Sequence, residues 1–418
     1  MKDSHLLLAL FAAAYGAQVL ANLGLEGINR SYVLANLGKV PKEFEGWIDS
    51  AKMAHIARYA LDKSRLGVFE EIISEIALLA ILFLGALTGL ESLFSYWEIP
   101  YLFAGIMFFL IPAAILHLIH LPFSYRYTFF LEEAYGFNRS TPGLWLADQF
   151  KLGFLSALIV SVILCLILWI IELSPDLWWV WGFLTVSAVQ IALVELYPLL
   201  IAPLFNKFEP VQDEVLAEKI TDLMERNGME VKRILQMNAG LRSRHTNAYF
   251  TGIGKRKQIV LFDTLIESHP HDEILAILAH EVGHLKERHL VKQLLFFEVL
   301  LFSGFYATHL LLRWEALYET FDFSLPKPYI GLFLLSVFWQ KVGFFLQPAY
   351  MALSRHFERR ADLFAAGFLG ATAPLMASFR RLADDNLANL NPHPLYVLFH
   401  YSHPPLIERM QTLQRVEG

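Results

Sequence analysis

His280-Glu281-Val282-Gly283-His284 is the stretch on which the reading of this chain turns. It closes a helix that opens near Asp272 and leads into an apolar span. Two histidines four residues apart on a helix lie about 40° from one another, on one face. Both imidazoles can therefore reach a single Zn²⁺. Glu281 lies off that pair and can serve as a general base for an attacking water. Five letters alone occur by chance, so the rest of the chain must supply a third ligand and a setting.

The setting is a membrane. Of 418 residues, 56% are hydrophobic and 18% charged, below the roughly 25% charged of an average soluble domain. Mean hydropathy is +0.43, as expected of a polytopic membrane protein. A net charge of −6 gives no attraction for nucleic acid. The single cysteine, Cys165, excludes an intrachain disulfide and a cysteine-based zinc site. The N-terminal apolar stretch has no basic segment before it and no clear cleavage site after it, so it reads as a first span rather than a secretory signal.

Seven stretches are long and apolar enough to cross about 30 Å of hydrocarbon. They lie near 5–25, 68–90, 99–121, 153–173, 178–203, 290–312 and 328–350. Basic residues gather between spans one and two (Arg30, Lys39, Lys42, Lys52, Arg58, Lys63, Arg65), in 204–289 and after 350. The connectors 91–98 and 174–177 have no Lys or Arg. The positive-inside rule then places the N-terminus outside and the C-terminus in the cytoplasm. Four parts follow: 1–203 with spans one to five, a cytoplasmic α+β insertion 204–289, spans six and seven at 290–350, and a cytoplasmic helical segment 351–418. In the insertion, 211–227 is amphipathic and ends at Gly228 as C-cap. Strands are expected at 232–237, 247–253 and 258–262, with a turn at Gly254-Lys255-Arg256-Lys257. Glu75, His117, His120, Gln190, Glu195, Gln293, Glu298, His309, Gln340, Lys341 and Gln347 lie in or at the ends of spans. Together they suggest a hydrated interior volume.

Zinc needs a third protein ligand and an open position. On a continuous helix His289 would sit about 140° from His284, too far round to ligate. After span seven comes Ser354-Arg355-His356-Phe357-Glu358-Arg359-Arg360-Ala361-Asp362. Glu358 and Asp362 are four apart and share a helix face. One can bind the metal while the other receives a ligand histidine's N–H. Spacing does not choose between them, nor does it exclude a solvated face of Glu–Arg pairs. His356 competes but lies about 200° from Glu358.

The chain resembles the type I CAAX prenyl endopeptidases, integral-membrane zinc metalloproteases of the gluzincin class. The likeness runs through Leu61-Asp62-Lys63-Ser64-Arg65, Glu133-Ala134-Tyr135-Gly136-Phe137-Asn138, Pro203-Leu204-Phe205-Asn206-Lys207-Phe208 and Asn247-Ala248-Tyr249-Phe250. It continues through the His280–His284 motif and the Glu358/Asp362 pair to Tyr401-Ser402-His403-Pro404-Pro405. The resemblance implies an all-α polytopic fold: seven transmembrane helices in a barrel around a polar chamber, with a small cytoplasmic α+β zinc metalloprotease domain. It implies one Zn²⁺ per chain, held by His280, His284 and Glu358, with Glu281 as base and Asp362 behind a ligand. It places His403 by the active site, as candidate oxyanion donor, with Arg409 organising that segment or pairing with an acid. Asn247, Ala248 and Tyr249, on an expected edge strand, would bind an extended substrate.

The implied partners are the lipid bilayer and a peptide or protein substrate, in the family commonly prenylated on a C-terminal CAAX cysteine and cut to release the last three residues. Short connectors and an ending, Arg415-Val416-Glu417-Gly418, without an ER retrieval signal read as a prokaryotic member in a bacterial inner membrane. A general quality-control membrane protease is an alternative. So is a transporter or lipid-handling chamber with a vestigial zinc site, although a vestigial site would not need Glu281.

Overall fold

The computed structural model describes residues 2–226, 228–251 and 258–417. The apolar runs become helices, most of them long: α1 (Lys2–Ala35), α2 (Ser50–Phe83), α3 (Ala86–Tyr96), α4 (Tyr101–Arg126, with Pro112 and Pro122 inside it), α5 (Pro142–Leu173) and α6 (Trp178–Leu196). Two of their starts follow capping chemistry. The Asp49 side chain accepts from Lys52 N at the head of α2, and Thr141 accepts from Leu144 N ahead of Pro142 in α5. Two π-helical turns, Tyr127–Glu132 and Tyr197–Ile201, prolong α4 and α6, and α7 (Ala202–Phe205) ends this half.

Among the described residues six helices are long and apolar enough to cross a membrane, and α2 with α3, bent by 48° where they meet, brings the number to seven if the pair counts as one span. The break between them falls inside the stretch expected as a span at 68–90. The chain breaks at Leu84-Gly85, where Gly85 adopts φ 78°, a left-handed conformation that glycine takes without strain. The helices also overrun the apolar windows. α1 reaches Ala35, and α13 (Pro328–Leu369) continues 42 residues without interruption until Gly370 caps it with φ 66°.

Between the spans lies a small sheet with helices against it. Its strands are β1 (Phe208–Pro210), β2 (Arg233–Met237), β3 (Ala248–Thr251) and β4 (Gln258–Phe262), in the order β1-β2-β4-β3. β2 and β4 run parallel, and the outer pairs are antiparallel. β1 was not foreseen: three residues ending in Pro210 carry no alternation to read. The expected turn at 254–257 lies outside the described residues. α8 (Glu214–Arg226), α9 (Asp263–Ser268) and α10 (His271–Lys286) cover the sheet. Leu216, Ile220 and Met224 of α8 interlock with Ile259 and Leu261 of β4 and with Ile274 and Leu278 of α10.

α11 (His289–Leu311), α12 (Glu315–Glu319) and α13 return the chain through the spans. α14 (Ala373–Asp385), α15 (Pro394–His400) and α16 (Leu406–Glu417) then fold against the projecting end of α13. A second core there joins Ala276 and Ala279 of α10 to Ala365, Phe379, Met410 and Leu413. α10 thus lies between two cores and packs along α13. They come close together at Gly283, where a Cβ would stand 3.0 Å from Ala361 Cα. Any larger residue there would push the two histidines away from the carboxylates that flank Ala361.

Candidate metal centre

That contact brings together what the sequence separates by some 80 residues. His280, His284 and Glu358 offer ligand atoms within 4.8 Å of one another, the one such group among the described residues. His280 Nε2 lies 3.1 Å from His284 Nε2 and 3.3 Å from Glu358 Oε2; His284 Nε2 lies 3.2 Å from Glu358 Oε1. Donors placed 2.0–2.1 Å from a tetrahedral ion stand about 3.3 Å apart. Glu358 is 4% exposed, and its Oε2 accepts no well-directed hydrogen bond. A buried carboxylate oxygen without a donor is costly unless a cation completes it. The three groups therefore fit a divalent ion.

The surroundings fix the ligands. His280 Nδ1 lies 2.8 Å from Asp362 Oδ1, leaving Nε2 directed at Glu358. Asp362, 1% exposed, also takes a two-pronged grip from Arg409: Nη2 at 2.6 Å from Oδ1 and Nε at 2.8 Å from Oδ2. The guanidinium lies over the Phe379 ring, 4.1 Å from its centroid. Burial alone would lower the His280 pKa, but its hydrogen bonds to Asp362 and Glu358 outweigh burial and push it up to about 9. The Glu281 pKa is raised by burial, against the opposing pull of His280 and His284. A raised carboxyl pKa suits a group that must take and return a proton near neutrality.

The loop after α15 delivers His403. Its Nε2 stands 3.3 Å from Glu358 Oε1, and Ser402 Oγ lies 2.9 Å from its Nδ1. Its side chain is 60% exposed, so it lines the open side of the group. The loop is held by Arg355, whose Nη1 donates to the carbonyls of Val397 (2.9 Å) and Tyr401 (2.7 Å). The only trace of this role in the sequence is an arginine one turn before Glu358. His356 is exposed and apart from the group. His245 is committed elsewhere, to Glu132 (3.1 Å) and Asn386 (2.9 Å).

β3 is the outer strand of the sheet and packs beside α10. Its inner edge pairs with β4 from Ala248↔Leu261 to Thr251↔Gln258. Asn247 is exposed, with Oδ1 accepting from Ala248 N at 2.8 Å. The Ala248 side chain belongs to the core, so only its backbone can meet a substrate. Tyr249 is half-buried.

A His-His-carboxylate group beside a glutamate on the same helix, at the end of a bundle of membrane spans, defines a membrane-embedded metalloendopeptidase. The sequence comparisons agree. Residues 31–207 match the family model described as the CAAX prenyl protease N-terminal region with five membrane helices, and 210–417 match peptidase family M48. The chain belongs to peptidase family M48, joined to the five-helix membrane region of the CAAX prenyl proteases. It is 33% identical to a rice CAAX prenyl protease 1 homolog over 405 residues, 93% of each chain. It is 38% identical over 318 residues to CAAX prenyl protease 1 of Saccharomyces cerevisiae, 72% of this chain and 69% of that one. The crystal structure of S. mikatae Ste24p superposes with a TM-score of 0.87 at 29% identity, covering 96% of this chain and 98% of that one. These relatives are eukaryotic and lend no support to the expected prokaryotic source.

Proposed function

We propose that this protein is a zinc endopeptidase that removes the C-terminal tripeptide from CAAX sequences, with a lipid on the cysteine as part of what it recognises. His280, His284 and Glu358 hold the ion, and Asp362, fixed by Arg409, orients His280. When bound, Zn²⁺ supplies Lewis acidity for the scissile carbonyl and lowers the pKa of water. Glu281 takes a proton from the attacking water and returns it to the leaving amine. His403 Nε2–H is directed at the charge that develops on the carbonyl oxygen. The substrate lies extended along the free edge of β3, through the backbone of Ala248 and Tyr249 and the amide of Asn247.

The observation that carries this reading is the set of three donors 3.1–3.3 Å apart with Glu281 in the same helical turn. An apolar cavity of about 630 Å³ adjoins β3, lined by Leu193, Val194, Tyr197, Tyr249, Phe250 and Leu290 among others. It supports a substrate with a greasy group near the cut. The relatives' printed name, CAAX prenyl protease, supports the same substrate class. The basic connectors support a cytoplasmic catalytic end, with the polar span residues lining a hydrated chamber.

Mass spectrometry of products from farnesylated and unmodified CAAX peptides tests the reading. Release of the intact tripeptide, faster from the farnesylated peptide, is expected. Glu281→Gln should retain zinc and lose about 10²–10⁴-fold in rate. Degradation of unfolded proteins without tripeptide release would move the substrate to misfolded chains. Undiminished turnover in Glu281→Gln would remove it as the base.

A further inference from the structure

His280 has Asp362 behind it; His284 has no carboxylate in that place. Its Nε2 faces His280 and Glu358, so Nδ1 is the nitrogen turned away from the ligand group. The atom that meets it is Nδ1 of His289, at 3.0 Å. This is the histidine that helical spacing excludes as a ligand. α10 stops at Lys286, and Arg288 takes φ 54° and ψ 39°, a left-handed conformation unfavourable for a residue with a side chain. The turn resets the direction of the chain. His289 opens α11 and points back at α10 instead of continuing round it. Backbone strain next to a site is a reason to ask what it positions.

His289 is 2% exposed, and its ring stacks on Phe357 at 4.3 Å between centroids and 14° between planes. Phe357 directly precedes Glu358. One imidazole therefore touches both halves of the ligand set, His284 by hydrogen bond and the Glu358 segment by stacking.

We infer that His289 is a positioning residue for the metal: its Nδ1 accepts the Nδ1–H of His284, fixing the tautomer that presents the His284 Nε2 lone pair. This rests on the metal reading above. It gives the two ligand histidines unlike backing, a charged carboxylate for His280 and a neutral ring for His284. Groups in this position set ligand orientation and basicity, and their loss typically weakens metal binding about 10–100-fold.

The test uses the full-length protein in detergent. His289→Phe keeps a ring to stack on Phe357 and removes the acceptor. His289→Asn loses the ring but sets an amide oxygen near the place of Nδ1. Zinc affinity by chelator competition should fall about 10–100-fold in His289→Phe and recover most of that loss in His289→Asn. The ligand-field absorption of the Co²⁺-substituted protein should shift in the first and return toward wild type in the second. Wild-type zinc affinity and an unchanged Co²⁺ spectrum in His289→Phe would overturn the inference. So would a His289→Asn variant as weak as His289→Phe when both melt as wild type. If His289→Phe does not fold, nitrogen-15 spectra of labelled histidines in the zinc-loaded wild type decide: a slowly exchanging Nδ1–H on His284 is expected, and its absence counts against. Wild-type protein that binds no zinc would sink the metal reading itself, an outcome distinct from these.

Discussion

Two clusters of buried charge in this molecule look alike in composition and differ in closure. Within the spans, Glu75 of α2 receives both the Lys341 ammonium from α13 and the Tyr15 hydroxyl from α1. The ammonium also lies 4.4 Å from the centroid of the Tyr15 ring. Each charge has its counter-charge, and the cluster ties three helices together. At the end of α10, Asp362 is closed in the same way by Arg409 and His280. Glu358, four residues earlier on the same helix, is closed less tightly: Oε2 lacks a directed donor, the Arg409 guanidinium stands 3.7 Å from it, and the other neighbours of the carboxylate are the imidazoles of His280, His284 and His403. The closed cluster stabilises a fold; the open one is shaped for a cation. Charge burial alone does not mark a site, and neither does a lone carboxylate oxygen without a directed donor, since Glu195 and Glu298 each carry one; such an oxygen on a carboxylate that faces two imidazoles does.

The comparison breaks most visibly at the open carboxylate. Glu358→Ala should abolish stoichiometric zinc in metal analysis, and peptide cleavage with it, while the protein still folds. Full metal occupancy in this variant would make Glu358 one more closed charge and return the third ligand to doubt.

The closed cluster should fail differently. Lys341→Met leaves the half-buried Glu75 without its counter-charge, which costs at most about 3–5 kcal/mol. Thermal melting in detergent should drop, with zinc stoichiometry unchanged. Adding Glu75→Leu should recover most of the loss, because removing both partners removes the unpaired charge. A single variant that melts like wild type would mean that this pair does not hold the spans together.

A smaller effect separates the two carboxylates of α13. Asp362→Asn keeps shape but loses charge, so His280 keeps a poorer acceptor and Arg409 loses its counter-ion. Zinc affinity should fall about 10–100-fold, or about 1.4–2.7 kcal/mol. A loss as complete as that of Glu358→Ala would mean that Asp362 ligates.

The sequence showed these features unevenly, for physical reasons. Helical spacing is local, so the His280–His284 face and the shared face of Glu358 and Asp362 were readable without a structure. The spans were readable because hydrocarbon thickness demands long apolar runs. Choosing Glu358 over Asp362 was not, because both face α10 and only Arg409, 47 residues beyond Asp362, decides which is neutralised. The His289 contact was hidden by an assumption of helical continuity that the left-handed Arg288 breaks. Neither the bend at Gly85 nor the three-residue β1 carries enough periodicity to announce itself. Nothing local explains a glycine at 283, because its reason, the 3.0 Å approach to Ala361, exists only once α13 is in place.

The subtlest difference between the clusters is in their protons. In the metal-free protein the His280 pKa lies at about 9, above the ordinary 6.5, because Asp362 and Glu358 favour the imidazolium against the burial that opposes it. A folded-state pKa raised in this way adds stability that is complete below pH 6.5 and is lost as pH climbs through about 9. Zinc must displace that proton, so its apparent affinity should rise by up to tenfold per pH unit across the same window. The two trends oppose one another. Zinc should therefore raise the melting temperature only slightly at pH 6.5 and markedly at pH 9, and the gap should widen steadily between. Glu358→Ala removes one of the two carboxylates that hold the proton and the ion together, so it should flatten both curves. Lys341→Met lowers both curves by the same amount and leaves the gap alone. A gap that does not change with pH would show that His280 carries no proton for zinc to displace.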